Sequence, residues 1–329
     1  MNDGSTTTPL IEAETVSKAF AQRAGVTANL GRRFVHAVDR VSLFIDEGEI
    51  LGLIGESGSG KSTLGRLLIC LEPPTAGIVR FEGKDITKLR GRKLRRQRRM
   101  MQIIFQDPGA TLNPRFTVRE TLEEAIRAHR KRVTKREMTT RIAALITMVG
   151  LTGNALDRFP KEFSGGHRQS IAIARALAVE PRFIVADEPV SALDSSSRSQ
   201  IVDLIDNLRD ELKVSFLLIS HDLDVIQRLA NRVGVMYLGR VIETGRTEEI
   251  FKTPRHPYTR ALVSANLVPE PDHAKSLVIL PGEPPSPLAP PKGCHFHPRC
   301  AHADVKCRLV EPETREIVPS HYVKCHFDL

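Results

Sequence analysis

The stretch Gly55-Glu56-Ser57-Gly58-Ser59-Gly60-Lys61-Ser62-Thr63 restricts the fold more than any other part of the chain. It satisfies G-x-x-x-x-G-K-[ST]. The short apolar run 50–54 precedes it, and the helical pattern of Leu64, Leu67 and Leu68 follows it. Small residues let the backbone curl so that successive N–H groups face one phosphate. The helix that follows adds its positive end. Lys61 supplies a cation for the β- and γ-phosphates, and the Ser62 hydroxyl can ligate Mg²⁺. A strand that runs into such a loop and then into a helix belongs to an α/β fold. Kinases, GTPases, helicases and transport ATPases share the motif, so alone it fixes the ligand class and not the reaction.

The runs Ile103 to Phe105, Phe183 to Ala186 and Phe216 to Ile219 are short and apolar, as expected for strands buried on both faces. Their alternation with helical patterns from about residue 10 to 255 predicts a mostly parallel sheet. Thr117 with Glu120, and Thr134 with Glu137, each have the capping-box spacing. After the second, Met138, Ile142, Leu145, Ile146 and Val149 fall on one helical face, and Gly150 can end the helix. Residues 117–150 therefore read as a helical insertion. Pro281 to Pro291 holds six prolines and reads as an extended linker.

Composition narrows the class. An apolar fraction of 41% in 329 residues is enough for a real core. The net charge is +9, with eight basic residues in the twelve positions Lys88 to Arg99. A solvated face, nucleic acid and anionic lipid headgroups all fit such a run. No stretch reaches the roughly 18 to 20 apolar residues of a membrane span. Met1 to Leu10 is polar and Thr-rich, unlike a signal peptide, so the chain is expected to stay in the cytoplasm and to reach a membrane only through a partner. Cys70 sits in an apolar helical pattern, as a small core residue would. Cys294, Cys300, Cys307 and Cys325 are spaced C-x5-C-x6-C-x17-C, and four thiolates suit zinc or a 4Fe–4S cluster. The tight C-x2–4-C pair usual for zinc is missing, while His295, His297, His302 and His326 keep zinc open, and a metal-free tail is the third alternative.

Two further segments carry chemistry. Phe183-Ile184-Val185-Ala186-Asp187-Glu188 is an apolar strand ending in two carboxylates. Asp187 would hold Mg²⁺, and Glu188 would polarise an attacking water without being neutralised as a metal ligand. Phe163-Ser164-Gly165-Gly166-His167-Arg168-Gln169 precedes the helical pattern Ile171, Ile173, Ala174, Ala176 and Leu177. Ser-Gly-Gly at a helix start is a second anion site. One nucleotide has little use for two such sites in one chain, whereas two chains facing head to tail would complete each other.

In their order these motifs resemble the ABC ATPases. Gly55 to Thr63 looks like the Walker A loop, Gln106 like the Q-loop glutamine and Ser164-Gly165-Gly166 like the family signature. Asp187-Glu188 looks like Walker B, Ser191-Ala192-Leu193-Asp194 like the D-loop, and His221 like the switch histidine. The chain departs from the family pattern at Phe163, His167, Ser170 and Val190. The resemblance implies a P-loop NTPase fold: a RecA-like core with a parallel sheet, an antiparallel β subdomain, an α-helical signature subdomain and a small Cys-rich C-terminal extension. It implies an ATPase domain over 10–255, with the helical subdomain at about 107–180, and the extension over 256–329.

It also implies roles. Gly55, Ser57, Gly58, Ser59, Gly60, Lys61, Ser62 and Thr63 would bind the ATP phosphates, and Ser62, Gln106 and Asp187 would serve Mg²⁺. Glu188 would be the general base and His221 would contact the γ-phosphate. Ser164, Gly165 and Gly166 would act on the ATP of the partner subunit. Phe20 would stack on adenine, with Phe34 as its rival.

The stretches Val38 to Phe44, Phe105-Gln106-Asp107-Pro108 with Leu112-Asn113-Pro114-Arg115, and Pro254-Arg255-His256-Pro257-Tyr258-Thr259 are similar to oligopeptide and dipeptide importers. That likeness implies a 4Fe–4S cluster on the four late cysteines and an ATP-hydrolysing subunit that energises import of di- or oligopeptides. Its partners would be a second, related ATPase, two transmembrane permease subunits and an extracytoplasmic substrate-binding protein. The place of work would be the cytoplasmic face of the inner membrane. Nickel or oligosaccharide import is the alternative, as is a soluble ABC ATPase acting on nucleic acid or ribosomes. The latter usually carry tandem ATPase domains or a long coiled coil, which this chain lacks, so no nucleic-acid partner is expected.

Overall fold

The computed structural model describes residues 8–21, 34–130, 132–265, 278 and 280–328. Its strands are β1 (Ile11–Ala21), β2 (Phe34–Ile45), β3 (Ile50–Ile54), β4 (Ala76–Phe81), β5 (Lys84–Asp85), β6 (Met101–Ile104), β7 (Phe183–Asp187), β8 (Ser215–Ile219), β9 (Arg232–Tyr237), β10 (Arg240–Arg246), β11 (Arg315–Val318) and β12 (His321–Val323). Its helices are α1 (Lys61–Leu68), α2 (Gly91–Arg99), α3 (Pro108–Thr111), α4 (Val118–His129), α5 (Lys135–Met148), α6 (Gly165–Leu177), α7 (Ser195–Leu212), α8 (Leu223–Leu229), α9 (Thr247–Lys252), α10 (Pro257–Ser264) and α11 (Val305–Leu309). The chain divides into two compact units. One comprises Met1–Phe44, Leu51–Thr87 and His221–Leu329, and the other Ile45–Ile50 and Lys88–Ser220.

In the first unit an antiparallel sheet has the order β2-β1-β4-β5, with Ile11 opposite Phe81. A second run of strands has the order β11-β12-β10-β9-β3. β3 lies parallel to β9, with Leu51 opposite Arg232. Every residue of β3 is buried, which is why its sequence shows no polar alternation. The C-terminal extension does not stand apart from this unit. Its strand β12 pairs antiparallel with β10, Val323 opposite Glu243. The Pro281 to Pro291 segment contains neither helix nor strand, in keeping with an extended connection.

A buried carboxylate holds this arrangement together. Glu243 is 1% exposed. It accepts the backbone N–H groups of Arg255 at 2.7 Å and His256 at 2.9 Å, and His321 Nε2 lies 2.7 Å away. Three partners offset the cost of taking the charge out of water. His256 in turn caps α10, its Nδ1 accepting the Tyr258 N–H at 3.1 Å. The rings of Tyr237, Tyr258 and Phe296 pack at centroid distances of 4.7 to 5.4 Å, joining β9 and α10 to the extension.

In the second unit β8, β7 and β6 run parallel in that order. β7 and β8 are buried at every residue. Helix α6 is central, packing against α3, α4, α5 and α7. The insertion over 117–150 contains α4 and α5. Thr117 and Glu120 form the full capping box at α4. At α5 only the forward half matches the expectation: Thr134 accepts the Glu137 N–H, and the Glu137 carboxylate turns to Arg130 at 3.4 Å. Met138, Ile142, Leu145, Ile146 and Val149 are buried, and Gly150 takes a positive φ of 73° just after the helix. Cys70 is buried, as expected of a small core residue. No described helix is long and apolar enough to cross a membrane.

Burial, partly opposed by Glu243, lowers the pKa of His256 to about 4 from 6.5. Above pH 6.5 both folded and unfolded chains carry it neutral. Below that, only the unfolded chain takes up the proton, so stability falls with pH until about pH 4. The melting temperature is expected to drop across that window. In His256→Asn, which keeps a good cap and removes the titration, the drop should be shallower; matching slopes in the two proteins would refute this.

Candidate nucleotide-binding site

In the first unit, β3 delivers the chain into the glycine loop and α1 leaves it. Gly55 has φ 147° and Gly60 has φ 106°. A Cβ on Gly55 would sit 2.1 Å from the Met236 carbonyl oxygen, and one on Gly60 would sit 2.0 Å from that of Ala37. Only glycine fits either place. Gly60 caps α1 without a side chain, so the first turn presents its N–H groups directly to the loop. Lys61, 7% exposed, folds back over the loop. Its Nζ donates to the Gly55 carbonyl at 2.7 Å and the Glu56 carbonyl at 2.9 Å. An ammonium beside an array of N–H groups is a device for gathering phosphate oxygens.

The same unit contains the other residues singled out near nucleotide. His221 is exposed and immediately precedes Asp222, which caps α8. Phe20 lies at the end of β1 and Phe34 at the start of β2; they are 40% and 43% exposed. Lys18 Nζ lies 5.0 Å from the Phe20 ring centre, so that ring already has a cationic neighbour.

In the second unit the acidic pair ends β7. Asp187 is buried. Glu188 takes a positive φ of 50°, a conformation that non-glycine residues seldom adopt. Its backbone N–H donates to the Ile219 carbonyl at 2.9 Å, and its carboxylate accepts from Gln106 Nε2 at 3.1 Å. Gln106 follows β6, the neighbour of β7, so adjacent strands bring the two side chains together. Ser164 caps α6, with His167 Nδ1 2.9 Å from its hydroxyl. A Cβ on Gly166 would meet Ser197 Oγ at 2.6 Å. Asp194 caps α7, and the N–H of Ser197 with the hydroxyls of Ser196 and Ser197 holds its carboxyl well below the usual carboxylate range. Ser197 thus touches both the Ser-Gly-Gly turn and the cap of the following helix. Sequence reading passed it over, because one serine in Ser195-Ser196-Ser197-Arg198-Ser199 looks like any other.

Two more residues escaped the sequence. Tyr258 Oη accepts the Glu56 N–H at 2.8 Å, and Arg299 grips the Glu56 carboxylate. The only signal was Glu56 itself, a charge in a loop of glycine and serine.

The four late cysteines are free thiols. Burial pushes Cys294 up to about 11, and the nearby thiols of Cys307, Cys325 and Cys300 add to the shift. The Cys294 N–H donates to the Cys307 carbonyl at 2.8 Å. Among the described residues, no three His, Cys, Asp or Glu side chains gather as they would around a single metal ion. His297 Nδ1 sits 2.9 Å from the Cys294 carbonyl, and His326 Nε2 sits 2.9 Å from that of Val310, so both imidazoles have backbone partners.

A family model described as ABC transporter matches residues 38–191. A second, described as oligopeptide/dipeptide transporter, C-terminal region, matches residues 242–307 and so begins inside β10. The oligopeptide transport ATP-binding protein AppF of Bacillus subtilis (strain 168) is 45% identical over 321 residues, which is 96% of this chain and 97% of that protein. The dipeptide transport ATP-binding protein DppF of Haemophilus influenzae is 43% identical over 99% of both. Among solved structures, dimeric MJ0796, a bacterial ABC transporter cassette, superposes with a TM-score of 0.63 at 31% identity. The match covers 72% of this chain and 98% of that one. Its post-hydrolysis dimer with ADP and phosphate has the same score and coverage at 29% identity. Motif order, local geometry and full-length similarity agree, and the chain belongs to the ATP-binding subunits of the ABC transporter family, in the branch with the oligopeptide/dipeptide transporter C-terminal region.

Proposed function

We propose that this chain is the ATP-hydrolysing subunit of an importer for di- or oligopeptides, docked on its permease at the cytoplasmic face of the inner membrane. The observation that carries the catalytic part is Glu188 at the end of β7, its backbone at a positive φ and bonded to the Ile219 carbonyl, its carboxylate held by Gln106. A base fixed in this way needs little reorganisation when it takes a proton from water. Lys61 and the N–H groups from Gly55 to Thr63 bind the phosphates, and Phe20 stacks on adenine. Ser62, Gln106 and Asp187 hold Mg²⁺, which screens the charge between the β- and γ-phosphates when bound. His221 contacts the γ-phosphate. Ser164 and Gly166 complete the site of a second ATPase subunit, related to this one but different. ATP favours the closed pair, and that preference is what becomes motion in the permease.

The peptide cargo is supported by the names of the relatives and by the C-terminal family match. A cavity of about 460 Å³ lined by Gln102, Ile103, Phe105, Thr111, Ala125 and His129 lies beside the Gln106 segment and suits a helix of the permease. The permease would receive cargo from an extracytoplasmic binding protein. Helix α2 is basic and has no buried residue, a face suited to lipid headgroups. Arg90, Arg92, Arg95 and Arg96 changed together to Gln are expected to weaken association with anionic liposomes, and unchanged association counts against that orientation.

A second reading concerns the extension. Cys294, Cys300, Cys307 and Cys325 are free thiols of the extension, and the Cys294 N–H donates to the Cys307 carbonyl at 2.8 Å. That donor set suits a 4Fe–4S cluster, which is larger than one ion and is held by four thiolates.

Glu188→Gln should lower ATP turnover by about a hundredfold or more while ATP still binds and traps a dimer. Adding Gly166→Ala, which drives a methyl into Ser197, should abolish the trapped dimer in size-exclusion chromatography. Equal turnover in Glu188→Gln and the parent would remove the catalytic assignment. Iron and acid-labile sulfide are expected in anaerobically purified protein, and should be lost in Cys300→Ser. Stoichiometric zinc in their place would overturn the cluster.

A further inference from the structure

Glu56 is an odd occupant of a loop that gathers phosphate. Its neighbours from Gly55 to Gly60 are all glycine or serine, and a free carboxylate among them would repel the anion the loop collects. Arg299 closes on that carboxylate at two points, Nη1 to Oε2 at 2.8 Å and Nη2 to Oε1 at 3.0 Å. This fork is the strongest geometry a guanidinium has for a carboxylate. The Glu56 side chain is 27% exposed, whereas Arg299 is buried. Its Nε donates to the Pro281 carbonyl at 3.2 Å, which fixes the guanidinium on a third side.

The backbone of Glu56 is held as well. Its N–H donates to Tyr258 Oη at 2.8 Å, and its carbonyl accepts Lys61 Nζ at 2.9 Å. Tyr258 is fully buried and packs on Tyr237 and Phe296. Arg299 ends a short 3-10 turn, His297–Arg299, that leads straight into Cys300. Tyr258, Phe296 and Arg299 all come from the chain after residue 256, the part that looks like an accessory tail.

We propose that Arg299 is a positioning residue that acts on the phosphate loop through Glu56: its guanidinium cancels the Glu56 charge, while Tyr258 holds the Glu56 backbone. The C-terminal extension thereby sets part of the affinity for ATP. This rests on Gly55 to Thr63 being the ATP loop, and the test separates the two ideas because failure of the loop itself would abolish binding in every variant and in the parent.

The test is equilibrium binding of mant-ATP with magnesium to the full chain. Arg299→Gln leaves a bare carboxylate in the loop and is expected to raise Kd about tenfold, with the loss shrinking as salt is added. Arg299→Lys, which keeps the charge without the fork, should fall between. In Glu56→Gln/Arg299→Gln the offending charge is gone, and Kd should return to within about threefold of the parent. Glu56→Gln alone leaves an unpaired guanidinium facing the phosphates and should lower Kd. This last variant keeps the idea testable if Arg299→Gln fails to fold. An unaltered Kd in Arg299→Gln, a double variant as weak as the single, or weaker binding in Glu56→Gln would overturn the proposal.

Discussion

Two backbone carbonyls, those of Ala37 and Met236, occupy the space that any side chain at Gly60 or Gly55 would need. This close approach is the constraint on which the nucleotide site rests. It wedges the loop between β2 and the end of β9, so the loop cannot relax into an ordinary turn. From that fixed curve α1 starts without a side-chain cap, and Lys61 reaches back to the loop carbonyls. The strain of two left-handed glycines is small, because glycine meets little steric cost there. Glu188 does pay such a cost, at φ 50°, while its N–H is bonded to the Ile219 carbonyl and its carboxylate accepts from Gln106.

What the sequence made legible is local. β3, β7 and β8 could be read because strands buried on both faces lose their polar alternation. Ser164, Thr117 and Thr134 were readable as caps because capping depends on a residue and its near neighbours. Glu137 shows the limit. Its spacing from Thr134 matched the full box, but Arg130 lies within reach and takes the carboxylate. The pairing of β12 with β10 had no local signature either. Glu243 looks like a surface residue in sequence, and only the arrival of Arg255, His256 and His321 makes its burial tolerable. The contact of Ser197 with Gly166 is of the same kind. Such contacts join distant segments, and no periodicity marks them.

The extension is therefore part of the fold rather than an ornament. β12 joins the sheet between β10 and the edge strand β11, the Tyr237–Tyr258–Phe296 cluster packs beside β9, and Arg299 reaches the phosphate loop. A family model ending at the core motifs leaves out residues that touch the loop directly. The thiols of Cys294 and Cys300 lie in the same stretch as Phe296 and Arg299. These two thiols therefore sit in the segment that supplies side chains bracing the loop.

The first unit is assembled from three separated pieces of chain, with Leu51 paired beside Arg232, while the second is drawn almost wholly from the intervening stretch. Synthesis thus delivers a nearly continuous helical unit before the strands that complete the first unit exist. Closing a long loop costs entropy before its contacts repay it, so the parallel pairing of β3 with β9 is a slow, late event in folding. Until then the apolar edge of β3 has no β9 neighbour and offers a template for pairing with other chains.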